Sequence, residues 1–202
     1  MPRQPRGDAT RQAIVDAAEK VFADLGYAAA RLEDVAQLVG IRRPSIVYYF
    51  PGKQQLYDHI EADIFSAMHG FVEERTSGVT APLPRLLALL DAWLDFLVSR
   101  PTAARIIQRL IADSAQGSDN PIRFSETALR DIEAVISAGI ASGAFRPISA
   151  MNILNGVASG ALFYVCSANL LGHARQYDPS APSELEAFRG LMHRTAEAAV
   201  LG

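Results

Sequence analysis

The stretch GIRRPSIVYYFPGK, Gly40–Lys53, combines two glycines, two adjacent arginines, two prolines and three aromatic residues. Pro44 suits the first turn of a helix, because a first-turn N–H has no partner inside the helix. Pro51-Gly52 is a strong stop signal. The stretch therefore predicts a short helix over residues 44–50 that directly follows a glycine turn.

Two further helices are expected before this one. Thr10 can cap a first helix, whose apolar residues recur every three or four positions as far as Gly26. Leu32–Val39 shows the same period and ends at Gly40. Three helices within about fifty residues, the last two joined by a tight turn, match the helix-turn-helix pattern. Residues 1–8 are expected to form a disordered arm.

The remainder of the chain also has the helical period, and no segment shows strand alternation. Pro- and Gly-containing breaks separate six longer helices, expected near 53–76, 83–99, 102–115, 121–142, 148–172 and 183–200. The predicted class is all-α. It consists of a helix-turn-helix domain over 1–53 and a larger helical domain over 54–202.

Charge differs between these two parts. The chain of 202 residues carries a formal charge of −3, but residues 1–53 hold eight basic and six acidic side chains. Residues 1–53 are therefore mildly basic and the rest of the chain is acidic, which is compatible with a nucleic-acid partner for the first part. The single Cys166 cannot form an internal disulfide, and no signal peptide is recognisable, so we expect a cytoplasmic protein.

An uncharged run from Ser149 to Gly172 contains Gly156 and Gly160 in a small-xxx-small pattern. Several Asn and Ser residues are spread along it, and these are costly in lipid. We therefore expect a buried helix, in the core or between subunits, and no membrane span.

No constellation of catalytic residues is recognisable. The four histidines are scattered, and metal-ligand spacing, a phosphate-binding glycine loop and a nucleophile motif are absent from the sequence. We therefore expect neither an enzyme nor a bound metal or cofactor.

From Thr10 to about Leu56 the chain resembles the TetR family of bacterial transcriptional regulators. The matching residues follow one another without a gap: Gly26-Tyr27, Val35-Ala36, Gly40-Ile41, Tyr49-Phe50 and Lys53-x-x-Leu56. The resemblance implies a ligand-responsive homodimeric repressor that binds a palindromic operator through the helix at residues 44–50. The alternative is a helical protein-interaction module of the same fold without DNA binding.

The chain departs from the family pattern at a few positions. Ala30 and Arg31 stand where Thr or Ser usually caps the second helix, so that cap must come from another residue or be missing. Arg42 replaces a usual Ser, and Val47 replaces a common aromatic residue. The last two departures lie in the DNA-reading element, where they can alter base preference.

Side chains that suit a DNA contact are concentrated in the opening stretch. Arginines reach phosphates or guanine edges, small residues allow close approach to bases, and hydroxyls bind phosphates. The predicted DNA-binding residues are Arg42, Arg43, Pro44, Ser45, Tyr48, Tyr49 and Lys53.

The resemblance also implies a dimer interface and a ligand pocket in the larger domain. The implied interface uses the last two helices, with Gly156, Gly160, Leu185, Phe188, Met192 and Thr195. The candidate pocket residues are Phe65, His69, Trp93, Phe96, Ile107, Leu110, Phe163 and Tyr164. Because these are mainly apolar or aromatic, we expect a small apolar or aromatic effector.

Overall fold

The computed structural model describes residues 4–114, 126–167 and 178–201, and these ranges contain helices and no strand. The all-α prediction is confirmed. The helices are α1 Gln4–Ala29, α2 Leu32–Val39, α3 Arg43–Tyr49, α4 Lys53–Thr76, α5 Pro82–Ser99, α6 Pro101–Ser114, α7 Glu126–Ala141, α8 Ala150–Ile153, α9 Ser159–Cys166 and α10 Pro182–Leu201.

The first helix begins earlier than predicted. It begins at Gln4, not at Thr10, so residues 4–8 are helical and not part of a disordered arm. Pro5 fits this start, because proline is tolerated in a first helical turn. At Gly26 the backbone leaves the helical region (φ 78°), and a separate turn follows as far as Ala29. The continuous part of α1 therefore ends at Gly26, as the sequence predicts.

The turn between α2 and α3 is closed by Gly40, which adopts a left-handed conformation with φ 73°. Its position lets the N–H of Ile41 donate to the carbonyl of Ala36 at 3.0 Å. At the other end of α2, the missing Thr or Ser cap is replaced from inside the helix. The Asp34 carboxylate accepts a hydrogen bond from the Arg31 N–H at 3.0 Å.

Helix α3 is held against the protein by two residues of its inner face. Ile46 and the C-cap Phe50 are both buried. The helix begins at Arg43, one residue before the predicted start at Pro44, which occupies its first turn. This shift leaves the predicted faces of the helix unchanged.

Helix α5 lies at the centre of the larger part of the chain and packs against α4, α7, α9 and α10. Its leucines Leu86, Leu89, Leu90 and Leu94 are fully buried. An apolar stripe wider than half the helix predicts this central position, and the structure confirms it.

The uncharged run is helical from Ala150 to Cys166, and residues 168–172 of the prediction lie outside the described residues. The Ser149 hydroxyl caps its start by accepting from the N–H of Met151 at 3.2 Å. Between α8 and α9 the segment Leu154–Ala158 is π-helical. None of the described helices combines the length and apolarity that a membrane crossing requires.

A substitution at Gly139 of α7 tests the packing around the turn that follows this helix. A Cβ at Gly139 would lie 2.0 Å from Cδ2 of Phe145, which is itself buried. We expect Gly139→Ala to destabilise the fold by at least about 1–3 kcal/mol, the usual cost of overpacking. Thermal unfolding measures this loss.

Gly70→Ala is the matched control, since Gly70 also lies in a helix but nothing lies within 4 Å of its added Cβ. This change should leave stability equal or raise it by up to about 1 kcal/mol. Equal melting temperatures for the two variants would contradict the packing described for Gly139 and Phe145.

Candidate DNA-binding surface and effector cavity

The outward face of α3 gathers most of the predicted DNA-binding residues. Arg42, Arg43, Pro44, Ser45 and Tyr48 are all exposed, and Tyr48 most of all, at 83%. Val47, one of the departures from the family pattern, is exposed on the same helix. The face therefore offers two cations, a small hydroxyl and a phenol to one surface, as a duplex groove requires.

Neighbouring contacts orient two side chains of this face. The Arg43 guanidinium lies 3.1 Å from the Glu33 carboxylate of α2, and both groups are largely exposed. The rings of Tyr48 and Tyr49 meet edge to face with centroids 5.1 Å apart. Tyr49 is half-buried, so its exposed neighbour Tyr48 is the better placed of the two to contact DNA.

Behind α3, Phe50 joins three helices through its ring. The Arg11 guanidinium of α1 lies over the ring at 4.8 Å, and His59 of α4 packs beside it at 5.5 Å. Burial lowers the pKa of His59, Arg11 lowers it further, and Asp63 opposes this. The neutral imidazole is thus favoured in the folded state, and its contribution to stability falls as the pH drops below the ordinary histidine range.

Lys53 is predicted to contact DNA, but in the structure its side chain bonds to the protein backbone. Its ammonium donates to the carbonyls of Tyr27 at 2.7 Å, Ala30 at 3.0 Å and Ala28 at 3.4 Å. It also lies 4.4 Å from the centre of the Tyr27 ring. Three carbonyls accept from the three N–H donors of the ammonium, so Lys53 fastens α4 to the end of α1.

A second cation reaches the same end of α1 from α6. The Arg109 guanidinium donates to the carbonyls of Ala23 at 3.3 Å and Asp24 at 3.0 Å. It occupies the space beside Gly26, where an added Cβ would lie 2.8 Å from its Nη1. The α1 carbonyls around the bend are therefore bonded by α4 on one side and by α6 on the other.

A buried ion pair joins the middle of α1 to the junction of α5 and α6. Arg100 donates from Nε to Glu19 at 2.9 Å and from Nη2 at 2.5 Å, while the Thr102 hydroxyl donates to the same carboxylate. These hydrogen bonds raise the pKa of Arg100, and partial burial opposes the rise. Glu19 is only 6% exposed, so the pair positions the DNA-binding helices on the rest of the chain.

A cavity of about 300 Å³ lies between α4, α5, α6, α7 and the segment from α8 to α9. Three of the predicted pocket residues, Phe65, Trp93 and Ile107, line it. The other lining residues are Met68, Leu97, Ile111, Ala128, Leu129, Met151, Leu154, Asn155, Ala158, Ser159 and Leu162. The lining is therefore almost entirely apolar.

The remaining predicted pocket residues lie elsewhere. His69 points to α7 and bonds Asp131 at 2.8 Å. Phe96 is buried against Phe71, with ring centroids 5.5 Å apart. The other three are Leu110, half-buried against the core, Phe163, 62% exposed, and Tyr164, stacked on Phe188 at 4.2 Å. The resemblance implied a pocket in this part of the chain, but only the packing decides which side chains face a void.

Two polar residues at the cavity, Asn155 and Ser159, were not among the predicted residues. Asn155 and Ser159 lie on its exposed rim, one helical turn apart, and the Ser159 hydroxyl donates to the Asn155 carbonyl at 2.6 Å. The Trp93 Nε1–H is buried and has no hydrogen-bond partner among the residues that the structure describes. The sequence does indicate polar groups in this region, because the uncharged run 149–172 contains Asn and Ser residues, which require hydrogen-bond partners or solvent.

Helix α10 is fastened to α5 by charges. Arg189 pairs with Asp91 at 2.7 Å and with Asp95 at 2.6 Å, and His193 bonds Asp91 at 2.8 Å. These contacts turn one face of α10 inward, so Met192 is buried in the chain's own core at 3% exposure. Met192, a predicted interface residue, thus packs inside its own chain.

The other predicted interface residues divide between two faces. Leu185 and Phe188 pack against the core, and Gly160 faces Phe188 of the same chain. Gly156 and Thr195 are exposed. Around them lies an outer apolar face, formed by Gly156 and Phe163 of the α8–α9 segment and by Ala187, Leu191, Thr195 and Ala198 of α10. The predicted α10 stripe is thus displaced by about one residue.

Family models match both parts of the chain. Residues 14–60 match the model described as bacterial regulatory proteins, tetR family, and residues 82–195 match the tetracyclin repressor-like C-terminal domain. The chain belongs to the TetR family of bacterial regulatory proteins. It is a helix-turn-helix transcriptional regulator, as the first fifty residues predict.

Curated relatives of this TetR-family protein are transcriptional regulators. The HTH-type transcriptional repressor KstR2 of Mycolicibacterium smegmatis is 26% identical, over 72% of this chain and 71% of the relative. The HTH-type transcriptional regulator RutR of Escherichia coli K12 is 25% identical, over 72% and 69%.

Solved structures share the fold. The fatty acid degradation regulator FadR from Bacillus halodurans has a TM-score of 0.71 at 18% identity, over 96% of this chain and 95% of that one. FadR from Bacillus subtilis, solved in complex with stearoyl-CoA, has a TM-score of 0.70 at 17% identity, over 94% and 97%.

The salt dependence of DNA affinity distinguishes a side chain that contacts phosphate, as expected of Arg42, from one that bonds within the protein, as Lys53 does. Each phosphate contact adds about 0.9 to the slope of log affinity against log salt on duplex DNA of any sequence. Arg42→Ala should lower that slope by about 1 and leave the melting temperature unchanged, because Arg42 is exposed.

Lys53→Met keeps the apolar stem but leaves three carbonyls without their donor. It should lower the free energy of unfolding by about 1–3 kcal/mol and leave the salt slope unchanged. A slope reduced as much as in Arg42→Ala, with unchanged stability, would return Lys53 to the DNA surface.

Proposed function

We propose that the protein is a homodimeric repressor that binds a palindromic operator through α3 and is released from it by a small, mainly apolar effector. The observation that carries this proposal is the outward face of α3. It exposes Arg42, Arg43, Ser45 and Tyr48 together, while Ile46 and Phe50 fix the helix from behind. In this reading residues 1–53 form the DNA-binding domain and 54–202 the regulatory domain.

A homodimer is supported by the outer apolar face. Phe163 is 62% exposed and Leu191 52%, on adjoining helices, and exposed aromatic and aliphatic residues of this size are typical of an interface. Gly156 has open space around it, which allows a second helix to approach closely. A two-fold dimer presents two copies of α3, and these read half-sites about 34–36 Å apart.

The effector is assigned to the cavity because its helices also attach to α1. Phe65 and Met68 of α4 line the cavity, and the same helix begins at Lys53. Ile107 and Ile111 of α6 line it as well, and that helix carries Arg109. A ligand that displaces either helix therefore acts on the carbonyls beside Gly26. For a switch from nearly full to nearly empty operator, it must favour one conformer by about 10⁴-fold.

A selection from random duplexes tests the operator. We expect the purified protein to enrich a two-fold symmetric motif, because two copies of α3 must bind at once. The double variant Arg43→Ala, Tyr48→Ala should lose the enrichment and keep its melting temperature, since both side chains are exposed. Enrichment of an asymmetric motif, or of none, would contradict the proposal.

Sedimentation tests the dimer. Leu191→Glu places a charge in the outer apolar face and should convert the protein to a species of 21.8 kDa, the mass of one chain. Leu25→Glu is the matched control, because Leu25 is similarly exposed, at 48%, but lies on α1. It should remain dimeric. Two variants of equal mass would place the interface elsewhere.

A further inference from the structure

We infer that the effector is a small uncharged amphiphile, with an apolar body beside Trp93 and one hydrogen-bonding group at Asn155 and Ser159. This inference rests on the proposed effector role of the cavity and adds the chemical class of the ligand. It follows from the size of the cavity, the chemistry of its lining and the position of its polar side chains.

The volume restricts the ligand to a small molecule. A cavity of about 300 Å³ lies at the lower end of the range of ligand pockets. Its floor is formed by buried residues of α4 and α5, namely Phe65, Met68, Trp93 and Leu97. Ile111 and Met151 are 50% and 43% exposed, so they form the opening. The body of the ligand must fit beneath them.

The lining excludes a charged body. Within the described part of the chain it contains twelve apolar residues, Asn155 and Ser159, and no charged side chain. The two arginines of α6 nearest to Ile107 have partners on α1, since Arg105 pairs with Asp24 and Arg109 donates to the Asp24 carbonyl. His69 bonds Asp131. An ionised group carried into this lining would lose its hydration without a counter-charge, which is costly.

The polar group of the ligand is assigned to the rim. Asn155 makes no hydrogen bond through its side chain in the part of the chain that the structure describes, so its amide has both donors and an acceptor available. The Ser159 hydroxyl donates to the backbone carbonyl of Asn155, which leaves the Asn155 side chain unused. The oxygen of the Ser159 hydroxyl can still accept a hydrogen bond. A neutral hydroxyl or amide on the ligand can use both residues.

The Trp93 indole is the other polar group among the lining residues, and it is not accessible. Its Nε1 is buried and therefore lies beneath the cavity surface. A ligand can bond it only after the ring has turned out of its packing. This leaves Asn155 and Ser159 as the pair that fixes the orientation of the ligand.

Trp93 itself supplies the readout, because it is the single tryptophan of the chain. Its emission is titrated with two pairs of probes at neutral pH, decanol against decanoate and phenylbutanol against phenylbutanoate. The two bodies differ in shape, and within a pair only the end group differs, a neutral hydroxyl in one probe and an ionised carboxylate in the other. We expect each alcohol to bind at least about tenfold more tightly than its carboxylate.

The double variant Asn155→Ala, Ser159→Ala locates the end group. It should weaken alcohol binding by about fivefold or more, the value of one hydrogen bond, and leave carboxylate binding unchanged. Asn152→Ala is the matched control, as Asn152 is exposed on the same segment but does not line this cavity. It should bind all four probes like the parent protein.

Each contrary result has a distinct meaning. Carboxylates that bind as tightly as the alcohols would overturn the ligand class and leave the cavity as the effector site. Alcohol binding that the double variant does not change would overturn the placement at Asn155 and Ser159. If none of the probes binds to protein that still binds its operator, the effector role of the cavity fails as well.

Discussion

The whole arrangement depends on the hydrogen bonds that the end of α1 receives at its bend. Gly26 interrupts the helix, so the carbonyls around it lose their usual helical partners and need other donors. Lys53 supplies donors from α4, and Arg109 supplies them from α6. The two cations lie on α4 and α6, which also line the cavity. The bend in α1 is therefore one point at which α1 is bonded to the cavity helices.

Helices α4 and α6 connect the cavity to α1, against which α3 is packed. Helices α4 and α6 each present an apolar face to the cavity and a cation to α1. The Glu19–Arg100 pair adds a third, buried connection between the same parts. Helix α3 rests on this assembly through Phe50, with Arg11 of α1 on its ring and His59 of α4 beside it, so the proposed coupling between the cavity and the DNA-binding face runs through packed groups.

Local chemistry made the helix-turn-helix predictable. Gly40 had to close the turn, Pro44 had to stand in the first turn of α3, and Ile46 and Phe50 had to face inward, and each of these follows from neighbours in sequence. The cap of α2 was open from sequence alone, because Asp34 lies inside the helix that it caps. The start of α1 was misplaced because Thr10 resembles a cap, although Pro5 allows an earlier start.

The sequence by itself determined the all-α class, the helix-turn-helix and the outward side chains of α3, because these depend on helical period and on residues close along the chain. Only the tertiary structure decided what Lys53 bonds, which apolar residues face the cavity and which stripe of α10 remains outside. Lys53 and Tyr27 are far apart in sequence, and Phe96 and Trp93 have the same apolar character. Helical period shows that a side chain faces inward, but the packing of distant helices determines whether it meets another side chain, a void or the surface.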